Sequence, residues 1–336
     1  MMLPIILQQC RTLINFDNFP TFSEEHFNDW ISELTPIEKH KGYLVKRDDK
    51  FNLAGVSGGK VRQCSKLVYD NIDHIREQCN GGILTAAGIP SPQSAITSAV
   101  AKYFGLKCMV TIPHYPDHIK DSYRVNASLA QKFGAKIYGV GNPNISGPEL
   151  DAKKLVSETG YFQIKFGMNG RQVMETIAQQ VKNVPDHVTT VVGIAGSGLS
   201  MLGVALGCKL YNKNVKTIYP VALSGYVHKN KKMWYDRLPE RAQFDGDFHV
   251  VQSEYPYQHK LKLKESLPLD QTYEAKAWDW MVKNIEPSEK VLFWDVGIKE
   301  YDLSYIEPIK WHKSEYEQII DREMRRKSKV TEHDFF

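Results

Sequence analysis

A regular alternation of strand patterns and helix patterns between residues 82 and 221 most constrains the fold of this chain. Short apolar segments predict strands at 82–86, 107–112, 135–140, 188–194 and 215–221, preceded by one at 43–46 and followed by a last one at 290–296. Helical spacing predicts helices at 91–104, 118–133, 147–159, 171–184 and 200–211. Such alternation is typical of parallel strands joined by right-handed crossovers. We predict an α/β fold with two open, mostly parallel sheets flanked by helices.

The composition narrows the class of protein. The chain has 336 residues, of which 42% are apolar and 24% charged, as in a globular protein with two modest domains. The five cysteines show no paired spacing, so neither a metal site nor a disulfide framework is expected and a reducing, cytoplasmic location is favoured. The apolar N-terminal run is too short to span a membrane. A net charge of +4 permits an anionic ligand without requiring nucleic acid.

One lysine has an unusual sequence setting. Lys60 follows the glycine pair Gly58-Gly59 and begins a segment with helical spacing. Partial burial and the positive end of a helix both favour a neutral amine, which Schiff-base chemistry requires. A surface lysine beside a loop is the alternative interpretation.

A second glycine-rich segment is typical of anion binding. Residues 193–200, ending in Gly196-Ser197-Gly198-Leu199-Ser200, follow an apolar strand pattern and begin a predicted helix. Backbone N–H groups at such a turn can bind a phosphate, although tight turns use the same residue types.

Five blocks in order resemble the fold-type II pyridoxal-phosphate (PLP) enzymes, which are similar to the tryptophan synthase β subunit. They are residues 45–49 with 57–62, 88–93, 196–200, 270–276 and 291–294. Within this family the blocks resemble in particular the 1-aminocyclopropane-1-carboxylate deaminases and the D-cysteine desulfhydrases. The resemblance implies that PLP is the cofactor, that it lies in a cleft between the domains, and that the protein is a homodimer.

The resemblance also implies roles for individual residues. Lys60 would hold PLP and move protons, and the segment Gly196, Ser197, Gly198, Leu199 and Ser200 would bind its phosphate. Glu274 would contact the pyridine nitrogen, as in the deaminase branch. An exposed acid at a helix start is the alternative for Glu274.

Other residues would face the substrate. Tyr273 would donate or accept a proton, and either Tyr255 or Tyr257 would supply a second tyrosine, with Tyr255 assigned to substrate binding. Ser91 and Gln93 would bind the substrate carboxylate at a helix start, with Ser91 also catalytic. Helix capping would explain Ser91 equally well.

Three positions depart from the family pattern. The asparagine before the lysine is Gly59, the asparagine after the serine is Pro92, and the basic residue three positions after the lysine is Gln63. Lys66 could replace that basic residue. These changes leave the Schiff-base lysine in place and alter its surroundings, so we expect a substrate other than aminocyclopropane carboxylate.

Three functions follow from these observations. The first is a lyase or deaminase that acts on a small amino acid through an external aldimine and a carbanion or quinonoid. The second is a PLP enzyme, such as a decarboxylase, acting on an amino-acid group carried on modified DNA, which the basic segments 228–232 and 325–327 motivate. Those segments could equally serve solubility. The third is a catalytically degenerate PLP-binding relative.

The expected large domain comprises residues 1–60 and 161–336, and the small domain comprises 61–160. Residues 1–35 are expected to form an arm packed on the large domain. The charged tail, residues 310–329, is interpreted as a solvated helix with interspersed ion pairs.

Overall fold

The computed structural model describes residues 14–16, 19, 23–114, 121–140, 146–297 and 305–313. The chain divides into two compact units, Met1–Ile72 with Gly167–Tyr305, and Asp73–Phe166 with Ile306–Phe336. The predicted domains differ from these units mainly at the C-terminal end. There the two-residue strand Trp311–His312, in a segment expected to belong to the large domain, pairs with Ile137 and Tyr138 in the second unit. The expected position of the cofactor between the domains stays a prediction.

The strands form two main sheets and a hairpin. They are β1 Ile37–His40, β2 Tyr43–Arg47, β3 Asn52–Leu53, β4 Val56–Ser57, β5 Gly82–Ala86, β6 Lys107–Pro113, β7 Lys136–Val140, β8 Phe162–Ile164, β9 Thr190–Ala195, β10 Thr217–Ala222, β11 Asp247–Phe248, β12 Val251–Gln252, β13 Val291–Asp295 and β14 Trp311–His312. The sheet of the first unit has the order β1-β2-β13-β9-β10-β11, with β12 also paired to β10. Its β1–β2 pair is antiparallel, and its other pairs are parallel.

The helices cover these sheets. They are α1 Glu24–Ser32, α2 Gly59–Asp70, α3 Ile72–Gln78, α4 Gln93–Tyr103, α5 Asp121–Lys132, α6 Ser146–Thr159, α7 Arg171–Gln179, α8 Leu199–Leu210, α9 Tyr226–Asn230 and α10 Glu274–Asn284. In the first unit, α7 and α8 pack closely because α8 carries two glycines. A Cβ added at Gly203 would lie 2.6 Å from the Cβ of Ile177, and one at Gly207 would lie 2.6 Å from the carbonyl oxygen of Ala178. This close packing fixes the helix that follows the glycine-rich loop.

The central strands of the first sheet are buried on both faces. Every residue of β13 is buried, and β9 is buried from Val191 to Ala195. Continuous apolar strands are expected where helices cover both sides of a parallel sheet. The core around them includes Trp278 and Phe293, whose rings meet edge to face with centroids 5.1 Å apart.

The second unit contains the sheet β14-β7-β6-β5-β8, which is parallel throughout. Leu84 and Met109 of this sheet pack with Ala152 and Leu155 of α6. The α/β fold with parallel sheets flanked by helices is therefore confirmed.

The predicted elements agree with the structure except at certain ends. The α-helix predicted at 171–184 ends at Gln179 and continues as a 3₁₀ turn, Gln180–Asn183. The strand at 290–296 is not the last one, because β14 follows it. Residues 118–120 of the predicted helix 118–133, and the charged tail beyond residue 313, lie outside the described residues.

The described part of residues 1–35 packs on the first unit, as expected. Phe27 stacks on Tyr69 of α2 with centroids 4.3 Å apart, and Trp30 stacks on Phe51 at 4.7 Å. Within the described ranges, no helix has the length and apolar character needed to cross a membrane.

Candidate active site

Lys60 lies in the first turn of α2, directly after the β3–β4 hairpin. Gly58 before it has φ +114°, a conformation that glycine adopts readily and other residues do not. The Lys60 side chain is partly buried. Burial lowers the pKa of its amine from 10.5 to about 8, against the opposing effects of Glu274 and Cys64. A substantial fraction of the amine is therefore neutral near physiological pH, as an amine nucleophile requires.

The start of α2 is fixed by a buried ion pair. Arg62 Nη1 donates to Asp48 Oδ1 at 2.5 Å, and the guanidinium lies 4.1 Å from the ring centroid of Phe51. Asp48 occupies the space next to Gly59, where an added Cβ would overlap Asp48 Oδ2 and lie 3.0 Å from its Cγ. The family asparagine at this position would not fit without displacing Asp48. This steric restriction explains why a glycine occupies position 59.

The glycine-rich loop lies between β9 and α8. Gly198 has φ +85°, and a Cβ there would lie 2.9 Å from the side chain of Val227. Two side chains hold the carbonyls of the loop: Ser224 Oγ donates to the Gly196 carbonyl at 3.1 Å, and Asn230 Nδ2 donates to the Ser197 carbonyl at 2.7 Å. The first N–H groups of α8 have no acceptor within the helix, so this turn can bind an anion.

Leu199 and Ser200 differ in what they can offer to such an anion. The Leu199 side chain is buried in the core, so its backbone N–H is the group available to a ligand. Ser200 is only partly buried and keeps a hydroxyl. The leucine therefore replaces the family glycine without filling the loop.

A tyrosine pair lies at the start of α10. The hydroxyls of Tyr257 and Tyr273 are 2.6 Å apart. Lys276 Nζ donates to the carbonyls of Pro256 at 2.9 Å and of Tyr257 at 3.1 Å, which holds the Tyr257 segment against the helix. Burial raises the pKa of Tyr257 to about 12 and that of Tyr273 well above 10, so both phenols stay protonated at neutral pH.

Of the two tyrosines considered for this position, the structure places Tyr257 beside Tyr273. The hydroxyl of Tyr255 instead donates to Asp279 Oδ2 at 3.0 Å, on α10. The contact with Tyr273 favours Tyr257 as the second active-site tyrosine, and the assignment of Tyr255 to substrate binding stays a prediction.

Glu274 is buried at the first position of α10, with 2% of its surface exposed. Its Oε2 has no hydrogen-bond partner among the residues that the structure describes. Burial, followed by the carboxylates of Asp270 and Asp295, raises the pKa of Glu274 well above 4.5. An exposed helix-end acid, the alternative considered above, is therefore excluded.

These groups belong to one region of the first unit. Glu274 is close enough to Lys60 to affect the pKa of the amine. A Cβ at Gly196 would lie 3.7 Å from the ring of Tyr273, so the glycine-rich loop reaches the tyrosine pair. The region thus combines a partly neutral amine, an anion-binding turn, two phenols and a buried carboxyl group.

Comparison with known proteins shows the family to which the chain belongs. Residues 31–232 match the family described as pyridoxal-phosphate dependent enzyme. The chain belongs to this family.

Two curated relatives illustrate the range of the family. The chain is 24% identical over 228 residues to an O-seryl-dTMP PLP-dependent decarboxylase of Salmonella phage ViI, a match covering 59% of this chain and 52% of that protein. It is 28% identical over 130 residues to a 1-aminocyclopropane-1-carboxylate deaminase of Burkholderia lata, covering 37% of each chain. The chain thus spans about half the length, or less, of these relatives.

Solved structures share the fold. A 1-aminocyclopropane-1-carboxylate deaminase homologue superposes with a TM-score of 0.63 at 19% identity, over 80% of this chain and 90% of its own. A PLP-dependent aspartate racemase gives 0.60 at 14% identity, over 83% and 95%. At these identities the likeness shows the fold alone.

The residues of the first unit fit PLP, the family cofactor. Lys60 would supply the amine, and the turn at Gly196–Ser200 would supply N–H groups for the phosphate. The unpaired, buried Oε2 of Glu274 is a suitable partner for the ring nitrogen. Such an orphaned polar atom is uncommon unless a ligand or a catalytic role accounts for it.

Ser91 and Gln93 lie in the second unit, at the start of α4. Ser91 Oγ accepts the Gln93 backbone N–H at 3.3 Å, a local capping contact. Gln93 Nε2 donates to Thr85 Oγ1 at 2.7 Å and to the Lys165 carbonyl at 3.0 Å, so this amide ties the helix to the sheet. Their predicted contact with a substrate carboxylate stays a prediction.

Two residues of α2, Gln63 and Lys66, bear on the predicted phosphate partner. Gln63, which stands where the family has a basic residue, is buried. Lys66, suggested as a replacement for the missing basic residue, forms an ion pair with Asp70 one turn further along the helix. The structure therefore gives Lys66 another partner.

Two residues near the candidate site, Asn230 and Asp295, are not among the residues predicted from the sequence. The sequence places Asn230 only in the basic segment 228–232, whereas in the structure its Nδ2 donates to the Ser197 carbonyl of the glycine-rich loop. Asp295 directly follows the block 291–294, on which the resemblance rests. An aspartate at the end of an apolar strand pattern is the sequence feature that could have indicated this buried acid.

Proposed function

We propose that this chain is a PLP-dependent enzyme that breaks a bond at the α-carbon of an amino-acid group. When bound, PLP supplies an electron sink for the negative charge that develops at that carbon. The buried, unpaired carboxyl group of Glu274 is the observation that carries the proposal. A carboxyl group at the ring nitrogen supports a strong sink, which deamination and decarboxylation both need.

Lys60 would act as an amine and as a proton carrier. With a pKa of about 8, its Nζ can lose a proton near neutral pH and can later accept one. Its place after the Gly58 turn holds the amine at the first turn of α2. The same residue can therefore bind the cofactor and move a proton at the substrate.

The tyrosine pair would act as a proton donor. The phenol of Tyr273 stays protonated because burial raises its pKa well above 10. Tyr257, hydrogen-bonded to it at 2.6 Å, fixes the orientation of that hydroxyl. A protonated phenol can donate to a leaving group or to a carbanion, and Tyr257 can stabilise the phenolate that results.

The reaction is tested with Glu274→Gln. A hydrogen bond to a charged group contributes about 1.5–3 kcal/mol, so we expect turnover to fall roughly tenfold to a hundredfold. PLP occupancy should change little, because Lys60 and the phosphate loop are retained. Glu254→Gln, at a side chain that is 63% exposed, is the matched control. Normal turnover in Glu274→Gln would reject the ring-nitrogen role.

A more specific substrate class is an amino-acid group carried on a nucleotide, with loss of its carboxylate. The match to the phage O-seryl-dTMP decarboxylase covers 59% of this chain, against 37% for the deaminase, which supports this class over a free amino acid. In such a reaction the Cα–carboxylate bond breaks, CO₂ leaves, and a proton is added at Cα to give an amine.

A groove in the first unit also favours a nucleotide carrier. This open groove has a volume of about 650 Å³ and is lined by aromatic and basic side chains that include Tyr219, His228, Lys231 and His249. Tyr219 and His249 stack with centroids 5.8 Å apart and planes at 25°. His228 directly follows Val227, the residue packed against Gly198 of the phosphate loop. Aromatic faces with nearby cations are the groups that bind bases and phosphates.

The substrate class is tested by product analysis. The purified holoenzyme would be incubated with O-seryl-thymidine monophosphate, with free serine and with aminocyclopropane carboxylate. Release of CO₂ from the nucleotide substrate supports the carrier, whereas ammonia and a 2-oxo acid from a free amino acid would support a lyase or deaminase. Turnover of free amino acids alone would reject the nucleotide carrier.

A further inference from the structure

Asp295 ends the buried strand β13 and has no exposed surface. Its Oδ1 accepts the Gly297 N–H at 3.1 Å. Its Oδ2 has no hydrogen-bond partner in the described part of the chain. An unpaired carboxyl oxygen in the interior is costly unless the group is protonated or serves a ligand.

The neighbouring cation does not neutralise Asp295. Arg47 Nε lies 4.0 Å from Asp295 Oδ2. The same guanidinium makes two hydrogen bonds of 2.8 Å to Asp49 and also pairs with Glu38. One positive charge therefore faces three carboxyl groups, and Asp295 is the most distant of them.

Asp295 and Glu274 meet at Gly297. A Cβ placed on Gly297 would lie 2.9 Å from Asp295 Oδ1 and 2.9 Å from Glu274 Oε2. Because Gly297 has no side chain, both carboxyl groups can approach its Cα. The two oxygens are therefore at most about 6 Å apart, and, besides burial, the charge of Asp295 raises the pKa of Glu274. Like charges at such a distance disfavour ionisation of both groups, so we expect them to titrate as a pair that retains a proton.

The charged groups around the pair reinforce this behaviour. Burial and Asp49 raise the pKa of Asp295 well above 3.8, against the opposing Gly297 N–H and Arg47. On the Glu274 side, burial and Asp270 act in the same direction, and Lys60 is the nearby amine. The carboxylates of Asp48 and Asp49 face the pair from the end of β2.

We propose that Asp295 is a positioning residue that acts through Glu274 to keep the PLP ring nitrogen protonated. This inference rests on the proposed contact between Glu274 and that nitrogen. As the pH rises, the Asp295–Glu274 pair loses one proton and becomes negatively charged. This negative charge makes the remaining proton harder to remove from Glu274 and from the ring nitrogen. Asp295→Asn removes that charge and keeps an oxygen for the Gly297 N–H. The ring nitrogen should then lose its proton at lower pH.

The test uses protein loaded with PLP that carries ¹⁵N in the ring, and follows the nitrogen chemical shift with pH. In Asp295→Asn, we expect the midpoint to fall by about one pH unit or more, the size of effect that a nearby charge produces. Asp186→Asn, at a side chain that is 89% exposed, should titrate like the unmodified protein. An unchanged midpoint in a folded Asp295→Asn protein would overturn the inference.

Two further measurements distinguish a failure of the Asp295 inference from a failure of the proposed Glu274 contact. Glu274→Gln should change the ring-nitrogen shift directly. If it does so while Asp295→Asn does not, the inference fails and the role of Glu274 stands; if neither changes the shift, both fail. In PLP-free protein, the raised pKa of Asp295 destabilises the fold as pH rises above the unfolded value, so Asp295→Asn should unfold at a higher temperature than the unmodified protein at pH 8. A lower unfolding temperature would contradict the unpaired state of Asp295.

Discussion

Replacing Gly59 with alanine should destabilise the protein and disturb the cofactor site together. The added Cβ would overlap Asp48 Oδ2 and lie 3.0 Å from Asp48 Cγ. Asp48 cannot simply turn away, because its other oxygen accepts from Arg62 at 2.5 Å and from Thr35 at 3.3 Å. Either the start of α2 shifts or the buried ion pair opens.

These two outcomes have different magnitudes. A small shift that accommodates one methyl group costs about 1–3 kcal/mol, as in other overpacked interiors. Opening the Asp48–Arg62 pair leaves a buried charge unpaired, which costs roughly 3–5 kcal/mol. Asparagine, the family residue at this position, is larger than alanine and should cost at least as much as alanine.

Denaturant unfolding of PLP-free protein gives the stability change, and the visible absorbance of bound PLP reports the position of Lys60. Gly225→Ala is the matched control, because Gly225 has φ −70° and a Cβ there meets nothing within 4 Å. In the double variant with Asp48→Ala the overlap is gone, so the double change should cost less than the sum of the two single changes. Equal stability of Gly59→Ala and Gly225→Ala would refute the reasoning.

Other predictions concern the amine, the phenols and assembly. Lys60→Ala should abolish the visible absorbance of bound PLP while circular dichroism stays unchanged; a remaining band would remove Lys60 from its role. Because the pKa of Lys60 is about 8, its neutral fraction rises about tenfold between pH 7 and pH 9, and stopped-flow measurements of PLP loading should follow it; a flat profile would contradict this. Tyr257→Phe removes the hydrogen bond to Tyr273 and should lower stability by about 1 kcal/mol and slow turnover, whereas Tyr255→Phe should leave turnover unchanged; equal effects would argue against the tyrosine pair. We also propose a homodimer, which sedimentation at micromolar concentration would show; a monomer would refute it.

The sequence predicted what depends on local pattern. Strands such as 82–86 and 107–112 are mostly apolar and buried because helices cover their sheet, so their positions could be predicted directly. The short strand β14 could not be predicted, because two residues carry no periodic signal. Its pairing with β7 is a long-range contact that moves the C-terminal segment to the second unit.

The sequence blocks predicted which segments form the candidate site, but they did not predict the contacts between its side chains. The order of glycines, lysine and Tyr273-Glu274 along the chain indicated PLP. The contact between Asp48 and Gly59 depends on the conformation of the turn after β2, which the sequence pattern does not specify. The sequence indicates only that Gly59 alters the surroundings of Lys60, whereas the structure gives this departure from the family pattern a steric cause.

The register of two strands explains why this site concentrates so much buried charge. β13 pairs with β2 in parallel, so Asp295 lies opposite Arg47 and Trp294 lies opposite Lys46. Both strands therefore end in charged residues at the same edge of the sheet, beside the first turn of α10. Burying an ion costs several kcal/mol even when it is partly compensated, so hydrophobic residues here would give a more stable sheet. The unpaired Glu274 Oε2 is better explained by its proposed contact with PLP than by the stability of the fold, and the unpaired Asp295 Oδ2 by its proposed role beside Glu274.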